Sequence, residues 1–288
     1  MGKCEKWTIA YRPRVNQATL IDNTNAPFRK ITNSWRYWRA DPFLIEHEGK
    51  TWLFAELYDR IKRKGVLGCR ELIGGKWRII LDEPFHLSYP FVFEHNGAYY
   101  MIPESFKSGK ILLYKANSFP YSWELVQQLK EMSAVDSTLL QTPSGQYLLT
   151  VHVVNSIGTL TLVPIANDGS LQPACTVSTP QDCNCRPAGK AFIKNGMLIR
   201  PAQDCSKGYG YGLNFTHITK ISNNHFEETL LLKVLPKDIR ICRVSNPQGI
   251  HTYNCSSQYE VIDYKQYEFG LISKIGGLIQ RVKGNNHD

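Results

Sequence analysis

Ionisable and polar side chains recur at two fixed positions in this sequence, next to short apolar segments that contain a glycine. The position seven residues after the glycine holds Glu56, Glu104, His152 and Gln203. The position that opens each segment holds Asp41, Tyr89, Asp136, Arg186 and His251. Carboxyl groups held close together raise one another's pKa, so that one becomes a proton donor while another stays ionised as a base. The pattern therefore suggests acid–base chemistry, provided that the fold gathers these residues at one place.

The apolar segments are copies of one unit, a strand followed by a glycine turn and a second strand. The turn glycines Gly49, Gly97, Gly145 and Gly196 follow one another at intervals of 48, 48 and 51 residues. A degenerate fifth copy begins at His251. Turn signals between the copies, such as Gly74-Gly75, predict an outer hairpin after each inner one. The period predicts an all-β fold, a five-bladed β-propeller with four-stranded blades.

The predicted propeller takes up the chain as a single domain, residues 1–288, with blades opening near residues 41, 89, 136, 186 and 251. Residues 6–10 lie too far from blade I to be its inner strand, and they can supply the missing outer strand of blade V, which closes the ring. Apolar residues at helical spacing predict a short amphipathic helix at 270–284. This helix either docks on the propeller or, because it is basic, contacts an anionic membrane surface.

The first strand of each propeller blade lines the central channel, so the two sets of polar residues should meet at one mouth. We take this mouth as the functional site. Its predicted binding residues are Arg39, Trp38, Tyr89, His152, Arg186, Gln203, Asp204, Tyr209, Tyr211 and His251. The aromatic side chains can stack on sugar faces, and the arginine fork beside acceptors suits a phosphosugar or a uronate.

Structural interpretations of the same residues stay open. Asp41 can cap a turn before Pro42, and the aromatic residues can fill the space between blades. Glu56 and Glu104 can form a structural ring of ion pairs with arginines.

Composition narrows the partners. The net charge of +9 and the pI near 9.1 suit an anionic partner. The basic residues, however, are dispersed apart from residues 60–64 and form no DNA or RNA recognition module. We therefore expect that the protein does not bind nucleic acid.

No apolar run reaches the length of a membrane span, and the N-terminus lacks the apolar stretch of a signal peptide. We therefore expect a cytoplasmic monomer that contacts a membrane only at its periphery.

We expect no metal and no cofactor. Cys183, Cys185 and Cys205 match no zinc-binding spacing. A calcium ion in the channel beside His251 is the alternative that stays open.

Several segments resemble a known family. They are WRADP at Trp38–Pro42, PFVFEHNGAYYMIPES, RPAG at Arg186–Gly189, RPAQDC and GIHT at Gly249–Thr252. They resemble the N-terminal domain of plant glucosamine inositolphosphorylceramide transferases and related bacterial proteins, over nearly the whole chain from about Trp7 to Asp263. The resemblance implies that the glycosyltransferase chemistry of the plant enzymes belongs to a separate C-terminal domain, which we do not expect in this chain.

More distantly, the blades are similar to the five-bladed furanosidases of glycoside hydrolase families 43 and 32. This similarity implies that Asp41 is the base or nucleophile and that Asp136 tunes a pKa. The general acid of family 43 is a Glu that opens blade IV, where this sequence has Arg186, and a guanidinium cannot deliver a proton. Glu104 or Glu56 is then the candidate acid.

Two classes of function follow. The first is a carbohydrate-active enzyme that hydrolyses or transfers a glycosyl unit of a glycan, glycolipid or sugar nucleotide in surface-polysaccharide or glycolipid biosynthesis. The alternative is a non-catalytic domain that recognises a glycan or phosphosugar. A protein-interaction scaffold is a third class, although such propellers rarely crowd ionisable groups into the channel mouth.

Overall fold

The computed structural model describes residues 4–22, 26–166, 169–177, 186–223 and 225–268. Within these ranges the chain is almost entirely strand and turn, with three short 3-10 helices at Leu20–Asp22, Phe106–Ser108 and Pro236–Asp238. No helix in the described part of the chain has the length and apolar character needed to cross a bilayer. The helix predicted at 270–284 lies outside the described residues.

The described residues form twenty strands in five antiparallel sheets of four. The first two strands belong to the last sheet, and they are β1 (Cys4–Pro13) and β2 (Arg29–Lys30). Blade I contains β3 (Tyr37–His47), β4 (Lys50–Asp59), β5 (Lys64–Glu71) and β6 (Arg78–Leu81). Blade II contains β7 (Ser88–His95), β8 (Ala98–Glu104), β9 (Lys110–Ser118) and β10 (Ser122–Glu131).

The remaining blades repeat this order. Blade III contains β11 (Ala134–Thr142), β12 (Gly145–Val154), β13 (Ile157–Ile165) and β14 (Cys175–Thr176). Blade IV contains β15 (Phe192–Lys194), β16 (Met197–Asp204), β17 (Gly212–Ser222) and β18 (His225–Val234). Blade V contains β19 (Tyr253–Cys255) and β20 (Tyr259–Glu268), followed in space by β1 and β2. The predicted all-β propeller of five four-stranded blades is confirmed.

The N-terminal strand closes the ring. β1 pairs with β20 along its whole length, from Cys4 opposite Glu268 to Pro13 opposite Tyr259. Trp7 and Ile9 are buried in this strand, so the segment predicted at residues 6–10 is an integral part of blade V. Pairing the two ends of the chain in one sheet removes an edge that would otherwise invite association with other strands.

The inner hairpins differ in their turns. In blades I, II and IV the two turn residues both have positive φ, as in Asn96-Gly97 (50° and 75°), which is the twist that tight hairpins favour. In blade III, Thr142 pairs with Gly145, so the turn is Pro143-Ser144 and the glycine lies within β12. Gly145 is therefore the first residue of the second strand, whereas the glycines of the other three blades are the last residue of the turn.

The residues that open the first three blades share an unusual backbone. Asp41, Tyr89 and Asp136 have φ values of 51°, 43° and 54°, a left-handed conformation that is uncommon outside glycine. Each lies in a β-bulge, where the strand pairing skips between Ala40 and Phe43 in blade I and at the matching places in blades II and III. A bulge re-aims a side chain and ends regular pairing, and here it does so at the channel.

Tyr89 crosses the channel. Its hydroxyl accepts a hydrogen bond from the Gly189 N–H (2.7 Å) and shares another with the Thr138 hydroxyl (2.9 Å). The side chain is fully buried. Tyr89 therefore joins blades II, III and IV, a placement that differs from the exposed binding position predicted for it.

We expect Tyr89→Phe to lower the free energy of unfolding by about 1–3 kcal/mol, because it leaves the buried Gly189 N–H without its acceptor. Chemical denaturation at pH 7 measures the change. The matched control is Tyr121→Phe, since Tyr121 is exposed, and we expect no change there. Equal stability of Tyr89→Phe and the native protein would contradict a linking role for this hydroxyl.

Candidate active site

A cavity of about 240 Å³ opens at the end of the channel where the inner strands begin. Seven of the predicted site residues line it, namely Trp38, Asp41, Glu56, Glu104, Arg186, Tyr209 and His251. Six lining residues were not predicted, namely Glu5, Trp7, Ala40, Tyr58, His86 and Ser88. The two sets of positions recognised in the sequence thus do converge on one cavity.

Strand pairing explains how the acids meet. Ala40 pairs with Glu56 in blade I, and Ser88 pairs with Glu104 in blade II. Each glutamate therefore lies opposite the start of an inner strand, at the same height in neighbouring blades. Asp41 follows Ala40 directly, so its bulge brings a third carboxyl group to the same level.

Asp41 is buried and held by defined partners. Its carboxylate accepts hydrogen bonds from the Thr252 hydroxyl (2.9 Å) and from the Tyr89 N–H (3.1 Å). Burial raises the pKa of Asp41 to about 6; the charge of His251 opposes the shift, and those of Asp136 and Asp263 add to it. Near neutral pH Asp41 is therefore mostly ionised and close to the pH at which it exchanges a proton.

The two glutamates hold their protons more firmly. Burial, with the charge of Asp136 added, raises the pKa of Glu104 to about 8 although Arg186 opposes it. Burial and the charges of Asp41 and Glu104 raise the pKa of Glu56 well above its ordinary value. Glu104 is thus mostly a neutral acid at pH 7, next to an ionised aspartate, and the pKa of Glu56 is shifted in the same direction.

Arg186 ties two of the acids together. Its Nε donates a hydrogen bond to Asp136, and its Nη2 donates one to Glu104 Oε2 (3.3 Å). Gln203 also donates to Asp136, at 3.2 Å. Asp136 and Gln203 are buried and do not line the cavity, so they lie behind Arg186 and hold it against Glu104.

Asp263 organises the opposite wall, and the sequence analysis did not select it. Its carboxylate accepts the backbone N–H groups of Asp41 (2.9 Å), His251 (3.1 Å) and Thr252 (3.0 Å). His251 Nδ1 lies 2.7 Å from Asp263 Oδ2, and its Nε2 lies 3.5 Å from Asp41 Oδ1. Burial alone would lower the pKa of His251, but the facing carboxylates raise it. Asp263 comes twelve residues after His251 on the second strand of the degenerate copy, where no glycine turn marks the register.

Of the described residues, Asp41, His251 and Asp263 are those that could hold a calcium ion in the channel. Ligand atoms of Asp41, His251 and Asp263 lie within 4.8 Å of one another. However, both oxygens of Asp263 accept backbone N–H groups, and both oxygens of Asp41 accept hydrogen bonds. An imidazole is also a poor ligand for this oxygen-seeking cation. The aspartate oxygens already accept hydrogen bonds from the protein, so the cluster fits a hydrogen-bond network better than a calcium site.

Aromatic rings form much of the cavity wall. Trp38 and Tyr58 are cross-strand partners whose rings stack at 4.5 Å and 9°. Trp7 stacks on His251 at 3.9 Å and meets Tyr209 edge-on at 6.1 Å. Flat apolar faces next to converging polar groups are typical of pockets that bind sugars and similar small molecules.

Two predicted residues fall on the wrong face of their strands. Trp38 and Ala40 line the cavity, and because side chains alternate along a strand, Arg39 points the other way, where it donates to the Thr32 carbonyl at 3.1 Å. His152 pairs with Ala134, whereas Val151 pairs with Val135 beside Asp136. The shifted glycine of blade III placed His152 one residue out of register, and such a slip exchanges the two faces.

Asp204 and Tyr211 also lie outside the cavity lining. Asp204 is buried, pairs with Lys233 at 2.9 Å and accepts the Ser206 N–H at 2.9 Å. Tyr211 lies under the Lys207 ammonium, 5.3 Å from its ring centre. Both residues therefore have local structural partners in blade IV.

The chain is similar in fold to several solved glycoside hydrolases. The chain is similar to α-L-arabinofuranosidase from Lactobacillus brevis, with a TM-score of 0.56, 13% identity and coverage of 78% of this chain and 81% of that one. It is also similar to an α-L-arabinofuranosidase from Podospora anserina in complex with cellotriose, with a TM-score of 0.58, 9% identity and coverage of 78% and 90%. A GH43 β-xylosidase/α-arabinofuranosidase from a compost metagenome, in complex with xylotriose, gives a TM-score of 0.55 and 10% identity over 89% and 94%. The chain thus has the propeller fold of these arabinofuranosidases.

Sequence comparison identifies a narrower group. The family model described as glucosamine inositolphosphorylceramide transferase 1, N-terminal, matches residues 29–257. The protein of that name from Arabidopsis thaliana is 32% identical over 244 residues, which are 80% of this chain and 31% of the plant protein. The one from Oryza sativa subsp. indica is 31% identical over 202 residues, 66% of this chain and 27% of the relative. The chain belongs to this N-terminal domain family and spans less than a third of the curated relatives that it matches.

We expect Glu56→Gln to stabilise the protein increasingly as the pH rises above about 4.5, the ordinary pKa of glutamate. The raised pKa means that the folded state holds a proton which the unfolded state has lost, so the native protein loses stability with rising pH, by up to about 1.4 kcal/mol per pH unit. Glutamine has no proton to lose. Denaturation of both proteins between pH 5 and 8 measures the widening difference.

Glu124→Gln is the matched control, since Glu124 is exposed on β10. We expect its free energy of unfolding to run parallel to that of the native protein over this pH range. A parallel course for Glu56→Gln as well would show that Glu56 is ionised in the folded state.

Proposed function

We propose that this propeller is a carbohydrate-active enzyme, in which Asp41 acts as base or nucleophile and Glu104 as the acid at a glycosidic or glycosyl-phosphate bond. The observation that carries the proposal is that Asp41 and Glu104 line one cavity from neighbouring blades, where burial raises the pKa of Asp41 to about 6 and that of Glu104 to about 8. At pH 7 one group is ionised and the other is protonated, the division of roles that glycosyl cleavage and transfer require.

Arg186 and Asp136 support these roles without sharing them. The charge of Asp136 raises the pKa of Glu104, which is the tuning role that the furanosidase resemblance implies for Asp136. Arg186 contacts both Asp136 and Glu104, so it holds Glu104 in place and is not the proton donor. About a quarter of the Arg186 side chain stays exposed, and it can contact an anionic group of the substrate there.

We propose a glycan, a glycolipid or a sugar nucleotide as the substrate. The aromatic walls at Trp38, Tyr58 and Trp7 support a sugar ligand. Two structures of similar fold contain cellotriose and xylotriose, and the plant relatives are named glucosamine inositolphosphorylceramide transferase 1. We further propose that the reaction belongs to surface-polysaccharide or glycolipid biosynthesis and that the protein acts as a cytoplasmic monomer at the membrane periphery.

A non-catalytic recognition domain is the second candidate. Glu104 lies 3.3 Å from Arg186, and the position from which the furanosidases supply their acid is taken by that arginine. Such a domain would keep the aromatic walls and the polar groups for binding alone. Binding without turnover by the native protein would favour this candidate over the enzyme.

We expect Asp41→Asn to reduce turnover about 10²–10⁴-fold while ligand binding is retained, because the amide keeps the size of the side chain but cannot accept a proton. Turnover and binding are measured with a panel of sugar nucleotides and oligosaccharides that includes xylotriose and cellotriose. Asp82→Asn is the control, since Asp82 forms surface ion pairs with Lys62 and Lys64. Unchanged turnover in Asp41→Asn would remove Asp41 from the chemistry.

We expect a bell-shaped dependence of turnover on pH. Activity rises through about pH 6 as Asp41 loses its proton and falls through about pH 8 as Glu104 loses its own. Initial rates between pH 4.5 and 9.5 at constant ionic strength measure the two limbs. A profile that lacks the alkaline limb would argue against Glu104 as the acid.

A further inference from the structure

The Glu56 corner of the cavity contains an acceptor without a donor. Glu56 Oε1 is enclosed and makes no hydrogen bond with any residue that the structure describes. The imidazole Nε2 of His86 lies 3.6 Å from this atom, and both side chains line the cavity. A buried acceptor left unpaired costs about 1–3 kcal/mol, so we expect a donor for Glu56 Oε1 among the groups around it.

The backbone of blade I decides which nitrogen of His86 carries hydrogen. The Gly65 N–H donates a hydrogen bond to His86 Nδ1 at 2.9 Å. A nitrogen that accepts a hydrogen bond has no hydrogen of its own, so the neutral ring must carry its hydrogen on Nε2. That hydrogen is on the side of the ring near Glu56. Burial and the charges of Lys107 and Lys64 lower the pKa of His86, which favours the neutral ring.

Glu56, His86 and the Leu87 carbonyl group all pack closely around Gly65. A Cβ atom at this position would lie 2.3 Å from the Leu87 carbonyl oxygen, 2.6 Å from Glu56 Oε1 and 2.9 Å from His86 Cε1. The first of these contacts is with backbone and cannot be relieved by a change of rotamer. Only glycine therefore lets β5 bring its N–H to the imidazole while the carboxyl group of Glu56 packs against it.

We propose that Gly65, His86 and Glu56 form a polar relay that orients the Glu56 carboxyl group: the Gly65 N–H is hydrogen-bonded to His86 Nδ1, and the His86 Nε2–H faces Glu56 Oε1 across 3.6 Å. The relay leaves Oε2 as the atom that carries the Glu56 proton. Glu56 then presents an O–H donor to an oxygen of the bound sugar. His86 is a positioning residue in this arrangement. The inference deepens the proposed function and rests on it for the identity of the ligand.

The charges around the pair agree with a neutral relay. The charges of Asp41, Glu104, Asp136 and Asp263, where these groups are ionised, oppose the ionisation of Glu56. On the histidine side, Lys64 and Lys107 oppose protonation of the ring. A proton on Glu56 and none on His86 Nδ1 is the state that both sets of neighbours favour.

Nitrogen NMR of the native protein labelled with ¹⁵N-histidine tests the relay without any ligand. His86→Gln identifies the His86 signals by their loss. We expect the Nε2–H tautomer from pH 6 to 8. An Nδ1–H tautomer or an imidazolium ring at pH 7 would overturn the proposal, whether or not the protein proves to be an enzyme.

Two substitutions of His86 distinguish the effect of its N–H donor from the effect of its size. Glutamine can place an N–H near Glu56 Oε1, whereas His86→Leu fills similar space without one. In protein labelled with ¹³C at the glutamate side-chain carboxyl, and with the signal assigned by Glu56→Gln, we expect the Glu56 titration to move to higher pH in His86→Leu and to stay near the native position in His86→Gln. The reason is that a neutral N–H stabilises the carboxylate more than the acid.

Kinetics then connects the relay to the chemistry. With any substrate that the native protein turns over, we expect Glu56→Gln and His86→Leu to reduce turnover by similar factors and the double variant to reduce it no further. Multiplicative losses, or a Glu56 titration that His86→Leu leaves unchanged, would overturn the relay. If no substrate is turned over, the proposed function fails while the two NMR measurements still decide the relay.

Discussion

The carboxylate of Asp263, closed off from solvent, is the interaction on which the site depends. A buried charge is tolerated only when hydrogen bonds replace its lost hydration, and Asp263 obtains them from the N–H groups of Asp41, His251 and Thr252. One of these groups belongs to blade I and the other two precede the first strand of blade V. The same contacts that close the ring therefore also hold Asp41 in its left-handed conformation and aim its side chain at the channel.

From Asp41 the hydrogen bonds continue around the axis. Asp41 accepts the N–H of Tyr89 in blade II, and the Tyr89 hydroxyl reaches Thr138 in blade III and Gly189 in blade IV. The N–H of Tyr253 in blade V then donates to the Ala188 carbonyl in blade IV at 2.8 Å. All five blades are thus connected at the level of the candidate site. Burial, with the neighbouring carboxylate charges added, raises the pKa values of Asp41 and Glu104. Because the belt holds Asp41 and Arg186 holds Glu104, these acids cannot relieve the shift by moving apart.

Because of the repeat, much of the fold and of the candidate site could be predicted from the sequence. Evenly spaced glycine turns predicted five four-stranded blades, since tight hairpins favour turn residues at positive φ and a blade has a nearly constant length. The same argument placed Asp41, Glu56, Glu104 and Arg186 at one mouth. It went wrong for His152, because the Pro143-Ser144 turn moves Gly145 by one residue, and for Arg39, because neighbouring side chains in a strand face opposite ways.

What the sequence determined by itself is the periodic part of the protein, namely the strands, their turns and the rim on which the acids stand, because these follow from local backbone preferences. Only the tertiary structure decided which of the residues at matching positions in the blades line the cavity. Asp41 and Tyr89 open blades I and II in the same way, but Asp41 lines the cavity whereas Tyr89 is buried across the channel. The tertiary structure also brought in Trp7, His86 and Asp263, which no repeat marks. Burial, hydrogen-bond partners and shifted pKa values depend on contacts between blades far apart in the chain, and no local pattern contains that information.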